Sequence, residues 1–187
     1  MARGEGQRRE ALETMLDQAH VVLMTEEEGE AVTGCSDIHE MARHLFRRHG
    51  GRAQTEWVVV KQGAGGSTLF TRDSRVPVSV STTTTSTASS SSRKNYSTYH
   101  HPGFTVPVSD TVGCGDSLAS AVVLGLIAGG ADEGATLALG NAVGAATATG
   151  HGAGRQVAHV EMVRSLLRGR EGDVERRALA MLEASVS

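Results

Sequence analysis

The chain has 187 residues, a formal net charge of −3 at pH 7 and an aromatic content of 3%. This length suits one α/β domain and is short for two. The charge offers no basic excess for nucleic acid, and so few aromatic residues disfavour a base-stacking surface. No apolar run approaches the ~20 residues that span a bilayer, so we expect neither a nucleic-acid nor a membrane partner.

The cysteine content and the first residues bear on the cellular compartment. Cys35 and Cys114 are too few for a disulfide scaffold, which favours a reducing, intracellular environment. The segment Met1 to Glu10 contains acids and resembles neither a secretory signal nor a transit peptide. We therefore expect a cytoplasmic protein, or a plastid one if a transit segment precedes this sequence.

The first part of the chain alternates between helical and extended patterns. Leu12, Met15 and Leu16 form a short apolar stripe, while Asp37 and Glu40 have the spacing of a capping box. In chain order, the patterns predict a helix at 8–19, a buried strand at Val21–Met24, a helix from about Glu26, a helix at 37–48, and strands at Trp57–Val60 and Ser67–Phe70 joined by a glycine turn at 63–66.

The middle of the chain loses this pattern. Residues 81–92 are almost entirely serine and threonine and cannot bury apolar surface, so we expect a disordered insertion at about 78–101 within a single domain, 1–187. Beyond it, the patterns predict a strand at Phe104–Val108 and helices at 115–128, 134–149, 157–168 and 173–184. Strands that alternate with helices indicate an α/β fold with a mostly parallel sheet flanked by helices.

The most informative segment is Asp110-Thr111-Val112-Gly113-Cys114-Gly115-Asp116-Ser117, which opens a predicted helix. Its glycines allow a tight turn, and the unpaired N–H groups and the dipole of a helix N-terminus favour an anion. Asp116 would lie in the first helical turn, where its carboxylate could accept a proton from an alcohol that attacks phosphorus. Taken alone, Asp116 is better explained as a first-turn acid that complements the helix dipole.

This octapeptide closely resembles the second signature of the ribokinase/PfkB family, Asp-Thr-x-Gly-Ala-Gly-Asp, and departs from it at Cys114. The resemblance implies a ribokinase-like fold, here a partial domain that lacks the N-terminal half and the lid. It also implies that Asp116 is the catalytic base and that the N–H groups of Gly113, Cys114 and Gly115 stabilise the developing charge. The small Cys114 side chain should be tolerated because the family uses the backbone at that position.

Other segments resemble the family in the same order. The strand and turn that contain Lys61, Gly63 and Gly66 resemble those that approach the nucleotide phosphates, although any hairpin uses such glycines. The helix with Asn141 and Gly144 resembles the one beside the adenine, although close packing would also explain its small residues.

The resemblance also implies sites for metal ions and for the end of the nucleotide. The loop with Gly152 resembles the one that closes the adenine and monovalent-cation region, where Asp110 and Thr111 would hold a K⁺-type ion, largely through backbone oxygens. Glu28 matches the glutamate of an Asn-x-x-Glu motif that organises Mg²⁺, with Thr25 in place of the asparagine. A solvated acid in a first helical turn would equally explain Glu28.

The activity implied by the resemblance is transfer of the γ-phosphoryl group of ATP, with Mg²⁺ and K⁺ as ions, to a hydroxyl of a sugar or nucleoside. The implied partners are that small molecule and, in a full-length form, a second copy of the chain. Two alternatives remain: a non-catalytic interaction protein on the same fold, or an inactive truncated fragment. A Walker-type phosphate loop, a dinucleotide-binding glycine motif and a hydrolase elbow are all missing from the sequence.

Overall fold

The computed structural model of the chain describes residues 2–51, 54–72, 96–127, 132–152 and 158–186. None of the helices in these ranges combines the length and the apolar character needed to cross a bilayer. The helices are α1 Ala2–Gln18, α2 Glu26–Thr33, α3 Ile38–Gly51, α4 Cys114–Ile127, α5 Glu133–Ala148, α6 Val160–Arg168 and α7 Asp173–Ser185. The strands are β1 Val21–Thr25, β2 Trp57–Lys61, β3 Ser67–Arg72 and β4 Tyr96–His101.

The expected α/β class is confirmed, and the four strands form one sheet in the order β1-β2-β3-β4. The carbonyl oxygen of His20 accepts hydrogen bonds from the N–H groups of Glu56 and Trp57, at 2.8 and 3.0 Å. These contacts bring the first residues of β1 and β2 together. The two strands are therefore parallel.

The other two strand pairs are antiparallel, so the sheet is mixed and not mostly parallel as predicted. Gln62 N–H donates to the carbonyl of Gly66 at 2.9 Å, and Arg72 N–H donates to that of Glu56 at 2.8 Å. This pattern is that of a hairpin between β2 and β3, closed by a short 3-10 turn at Gly63–Gly65. Short turns join antiparallel strands without a crossover helix.

Strand β4 corrects the predicted extent of the insertion. Residues Tyr96–His101 are a strand and not the end of a disordered segment, whereas residues 78–95 lie outside the described part of the chain. Thr68 Oγ1 lies 3.0 Å from Nδ1 of His100, and the rings of Phe70 and Tyr96 are 5.6 Å apart. The later residue of β3 therefore meets the earlier residue of β4, which makes the two strands antiparallel.

A second correction concerns Phe104–Val108, which was predicted as a strand and belongs to no strand or helix in the structure. Pro102 and Pro107 lie in or beside this segment and lack the N–H group that a sheet ladder needs. The segment is therefore a connector from β4 to the turn that precedes α4. The four helices predicted after the insertion are present as α4 to α7.

Contacts divide the chain into two compact units. The N-terminal unit comprises residues 1–22, 27–58 and 70–98, and the C-terminal unit comprises residues 23–26, 59–69 and 99–187. In the N-terminal unit, Met41, Leu45 and Phe46 of α3 are buried. Arg48 of α3 pairs with two acids of α1, Glu13 at 2.6 Å and Asp17 at 2.7 Å. These contacts fix α1 against α3.

In the C-terminal unit, small residues bring α4 and α5 close together. A β-carbon at Gly125 of α4 would lie 2.3 Å from Oγ1 of Thr136, and one at Gly140 of α5 would lie 3.3 Å from Cγ of Leu118. Asp132 caps α5 by accepting a 2.9 Å hydrogen bond from the N–H of Ala135. Helices α6 and α7 complete an apolar core with α5 that is rich in alanine.

Candidate functional site

The turn before α4 leaves backbone donors unpaired. Gly113 has a φ of 82°, a left-handed conformation that glycine adopts without strain. Cys114 N–H donates to the carbonyl of Thr111 at 3.3 Å, and Ser117 N–H donates to that of Gly113 at 2.9 Å. Within the described part of the chain, the N–H groups of Gly115 and Asp116 have no such acceptor. Among the described residues, the N–H of Gly113 has no such acceptor either. Of the predicted set Gly113, Cys114 and Gly115, only Cys114 therefore donates to the protein itself.

Lys61, the last residue of β2, lies over these donors. A β-carbon at Gly115 would lie 3.1 Å from Nζ of Lys61. In the described ranges, no carboxylate forms an ion pair with this ammonium group. A cation beside the positive end of a helix dipole is electrostatically unfavourable unless an anion neutralises the ammonium group and the helix N-terminus together. Lys61 and the first turn of α4 together present a positive charge and open donors, a combination whose chemistry suits an anion and which we call the cradle.

Asp116 is exposed in the first turn of α4. Its backbone carbonyl accepts a 2.9 Å hydrogen bond from Oγ of Ser120. Its carboxylate accepts no hydrogen bond from any of the residues that the structure describes. An exposed acid that is beside the cradle and has its lone pairs free is suited to accept a proton.

Asp110 connects the two loops at this end of the C-terminal unit. Its Oδ1 accepts from the N–H of Val112 at 3.0 Å, and its Oδ2 accepts from the N–H of Gly152 at 2.8 Å. These two hydrogen bonds, first that of Val112, hold the pKa of Asp110 below its usual value. Both side-chain oxygens of Asp110 thus serve backbone amides of these two loops.

Thr111 and Cys114 occupy the turn itself. Thr111 is exposed, and its carbonyl accepts the N–H of Cys114. The thiol of Cys114 makes a weak 3.9 Å contact with the carbonyl of Asp110. Burial, followed by the negative charge of Asp110, raises the pKa of this thiol. Cys114 therefore stays protonated and behaves as a small residue.

The two hairpin glycines have different surroundings. Gly66 is buried, and a β-carbon there would lie 2.1 Å from the carbonyl oxygen of His101 and 2.4 Å from the nitrogen of Gly103. Gly66 is thus required for the hairpin to fit against the end of β4. Gly63 is exposed with a φ of 55°, and nothing lies within 4 Å of its β-carbon position.

Asn141 and Gly144 of α5 contact other parts of the protein. The side chain of Asn141 is buried and accepts from Oγ of Ser67 at 2.9 Å. Its amide group donates to the carbonyl of His101 at 2.8 Å and approaches Nδ1 of the same residue at 3.1 Å. Gly144 packs against α4, with the carbonyl of Cys114 3.3 Å from its β-carbon position. Both residues position the elements around the cradle.

The acidic segment after β1 contains Glu26 and Glu28. Oε1 of Glu26 accepts a 2.8 Å hydrogen bond from Nε2 of Gln62, the first residue after β2. Glu28 lies exposed on α2 in the N-terminal unit. No group of three or more His, Cys, Asp or Glu suited to a metal ion occurs in the described ranges. The cradle offers amides and an ammonium group, so Mg²⁺ would fit here as an ion carried mainly by phosphate oxygens and water.

A buried network of hydrogen-bonded polar side chains, which the sequence did not indicate, starts at the hairpin. His101, interpreted as part of a loop, is 5% exposed, and its Nε2 lies 3.2 Å from Oε1 of Glu175 on α7. Ser67 and Asn141 continue this network to β3. Among these residues only Asn141 was predicted to matter. The β-forming residues Tyr96, Thr98 and Tyr99 were the one sequence signal for a strand here.

The structure is thus that of an α/β protein in which Lys61 approaches Gly115 at the start of α4, where backbone donors are open. Residues 3–159 match the pfkB family carbohydrate kinase domain, and the chain belongs to that family. A comparison with curated protein sequences gives no match.

Several solved structures resemble the chain, among them these three. A candidate ribokinase II from Escherichia coli, in complex with ATP and Mg²⁺, has a TM-score of 0.67 and 17% identity and covers 89% of this chain and 45% of its own. Fructokinase from Vibrio cholerae, bound to fructose, ADP and calcium, has a TM-score of 0.61 and 20% identity, with coverages of 84% and 44%. Ribokinase from Thermotoga maritima has a TM-score of 0.60 and 21% identity, with coverages of 82% and 44%.

These likenesses show a ribokinase-like fold. The chain spans less than half of the length of each of the three structures.

Proposed function

We propose that this chain is the second half of a sugar or nucleoside kinase that transfers the γ-phosphoryl group of ATP to an alcohol. The observation that carries the proposal is the position of Lys61 over the unpaired amides of Gly115 and Asp116. This ammonium group and the open N–H groups would hold a phosphoryl group in transfer, with the carboxylate of Asp116 in the same helical turn. Such preorganised donors stabilise the charge that develops during phosphoryl transfer.

The proposed step assigns each bond change. The oxygen of the acceptor alcohol attacks the γ-phosphorus, and its proton passes to the carboxylate of Asp116. The bond between the γ-phosphorus and the bridging oxygen breaks, and ADP leaves with the electron pair. Lys61 and the amides of Gly115 and Asp116 hold the equatorial oxygens of the group in transfer.

The remaining predicted residues support nucleotide and ion binding. Gly63 offers an open backbone in the hairpin turn, and Gly152 lies in the loop that Asp110 anchors, so both are proposed to contact the nucleotide. Asn141, Gly66 and Gly144 are proposed to act through packing. Mg²⁺, when bound with ATP, supplies charge neutralisation between the phosphates. Backbone oxygens of Asp110 and Thr111 remain the proposed K⁺ ligands, and Glu28 the proposed Mg²⁺ residue.

The test is Asp116→Asn, assayed by ADP release from ATP·Mg²⁺ with a panel of pentoses, hexoses and nucleosides. Loss of a general base typically lowers the rate ~10²–10⁴-fold, and the affinity for ATP measured by calorimetry should stay nearly unchanged. Glu133→Gln is the matched control, because Glu133 is also a first-turn acid but belongs to α5. This control should keep the wild-type rate.

Two results would contradict the proposal. Equal turnover by Asp116→Asn would reject Asp116 as the base. A wild-type chain that gains thermal stability from ATP·Mg²⁺ but never releases ADP would favour a non-catalytic interaction protein.

A further inference from the structure

A buried chain of hydrogen bonds connects α7 to the hairpin that carries Lys61. Glu175 on α7 faces Nε2 of His101 at 3.2 Å, and both side chains are largely buried, at 12% and 7% exposed. His101 is held from its other side by Asn141, which also accepts from Oγ of Ser67 at the start of β3. With Asn141 donating to Nδ1, His101 is neutral and donates its Nε2–H to Glu175.

The same segment is fixed by contacts that do not involve Glu175. Arg170 donates to the carbonyls of Pro102 and Gly103, at 3.1 and 2.6 Å, and lies 4.3 Å from the ring centroid of Phe104. The backbone from His101 to Gly103 in turn packs against Gly66, where no side chain would fit. This backbone therefore forms the surface on which the β2–β3 hairpin lies.

Glu175 and Arg170 lie beyond residues 3–159, the part that matches the family pattern. The loop between α6 and α7 supplies Arg170 to the segment after β4, and α7 supplies Glu175 to the network that ends at Ser67, beside the hairpin turn. In a buried site, loss of one partner leaves the other polar groups without hydrogen bonds, so the network favours one hairpin position.

We propose that Glu175 is a positioning residue for the anion cradle: through His101, Asn141 and Ser67 it holds the hairpin so that Lys61 lies over the first turn of α4. This inference rests on the proposed function for the meaning of the cradle, but the position of Lys61 can be measured without any reaction. In the described ranges no hydrogen bond or ion pair joins Glu175 to Lys61 or to α4, so Glu175 would act through the residues between them.

The test uses the full chain and follows the Cε resonance of Lys61 by NMR. The chain contains two lysines, Lys61 and Lys94, so Lys94→Arg leaves a single lysine signal. In that background, Glu175→Ala is expected to shift the Lys61 resonance without ligand and to weaken pyrophosphate binding roughly threefold to tenfold. Glu175→Gln keeps an oxygen acceptor for His101 and should restore the resonance and the affinity to within about twofold.

Two further variants separate positioning from a general loss of stability. Glu171→Ala removes an exposed acid from the same groove between α6 and α7 and should change neither readout. Ser67→Ala breaks the network at the hairpin end and should reproduce the effect of Glu175→Ala. If Glu175→Ala does not fold, as judged by circular dichroism, Ser67→Ala decides the question.

The outcomes separate this inference from the proposed function. An unchanged Lys61 resonance and pyrophosphate affinity in folded Glu175→Ala or Ser67→Ala would overturn the positioning role. A wild-type Lys61 resonance that does not respond to pyrophosphate would overturn the anion cradle, while the shift between ligand-free variants would still test the position of Lys61.

Discussion

The two units of this chain are packed in opposite ways. In the N-terminal unit, large side chains meet: the ring of Phe70 packs edge-on against His39 at 5.1 Å and against Tyr96 at 5.6 Å. In the C-terminal unit, α4 and α5 meet through glycine, with Thr136 filling the place of a side chain at Gly125. The first arrangement buries apolar area, and the second brings two backbones close together.

This difference follows from what each unit must position. The cradle is made of backbone amides at the start of α4, so its geometry depends on where the helix itself lies. Close contact between α4 and α5 fixes that position more tightly than interlocking of long side chains would. The packing defects that harm each unit should therefore be of opposite kinds: a cavity in the N-terminal unit and a steric overlap in the C-terminal unit.

The largest effect is expected from Phe70→Ala. Phe70 is fully buried, and truncation of a buried phenylalanine removes apolar contacts and leaves a cavity, at a cost of about 3–5 kcal/mol in the free energy of unfolding. Urea unfolding followed by the fluorescence of Trp57, which belongs to the same unit, measures this loss. Leu12→Ala, at an exposed position of α1, is the control and should cost far less.

Gly125→Ala is expected to destabilise by about 1–3 kcal/mol, because the added methyl group overlaps Thr136. Gly134→Ala on α5 is the matched control, since its β-carbon would meet only atoms at 3.6 Å or more. Alanine is the better helix former, so the control should be neutral or stabilising. Thermal unfolding of both variants measures the difference, and a Gly125→Ala protein as stable as its control would contradict close packing as the basis of this unit.

The smallest effect is expected from the titration of His101, which belongs to the buried polar network of the C-terminal unit. Burial, opposed by the hydrogen bond to Glu175, holds the pKa of His101 below its usual value, and the charge of Arg170 lowers it further. The unfolded chain then takes up this proton at a higher pH than the folded one. The stabilisation is complete above the unfolded pKa of about 6.5 and is lost as the pH falls through the folded pKa.

Melting temperatures between pH 7.5 and 5.5 test this contribution. The pH dependence of the wild type should exceed that of His101→Gln, whereas the exposed His44→Gln should retain the wild-type dependence. The effect is small because one histidine contributes only over the interval between its two pKa values. Equal slopes for His101→Gln and the wild type would mean that His101 does not titrate differently in the folded protein.

Local patterns in the sequence were sufficient to predict most of the elements. Apolar periodicity predicted α3 and the helices after the insertion, and Gly63 and Gly66 marked the hairpin. Strand β4 was missed because Tyr96–His101 is polar and follows a serine- and threonine-rich segment, so its order comes from pairing with β3 and not from its own composition. Phe104–Val108 was wrongly predicted as a strand because its apolar residues carry no information about whether a neighbouring strand is available.

The candidate site was predictable only in part for the same reason. The octapeptide indicated a helix N-terminus with an acid in its first turn, which the structure confirms. The approach of Lys61 to Gly115 and the chain from Ser67 to Glu175 depend on contacts between residues far apart in sequence. No local sequence pattern indicates such contacts, so the place of Glu175 in the buried network could not have been predicted from the sequence.

The close fit of α4 against α5 also bears on how a ligand would enter and leave. A helix held at Gly125 and Gly140 cannot slide along its neighbour without a steric clash, so its first turn stays in place. Lys61, by contrast, is half-buried and belongs to the cradle through a long side chain with several rotatable bonds. Binding and release of an anion would then require a change in the side-chain conformation of Lys61 and no rearrangement of α4.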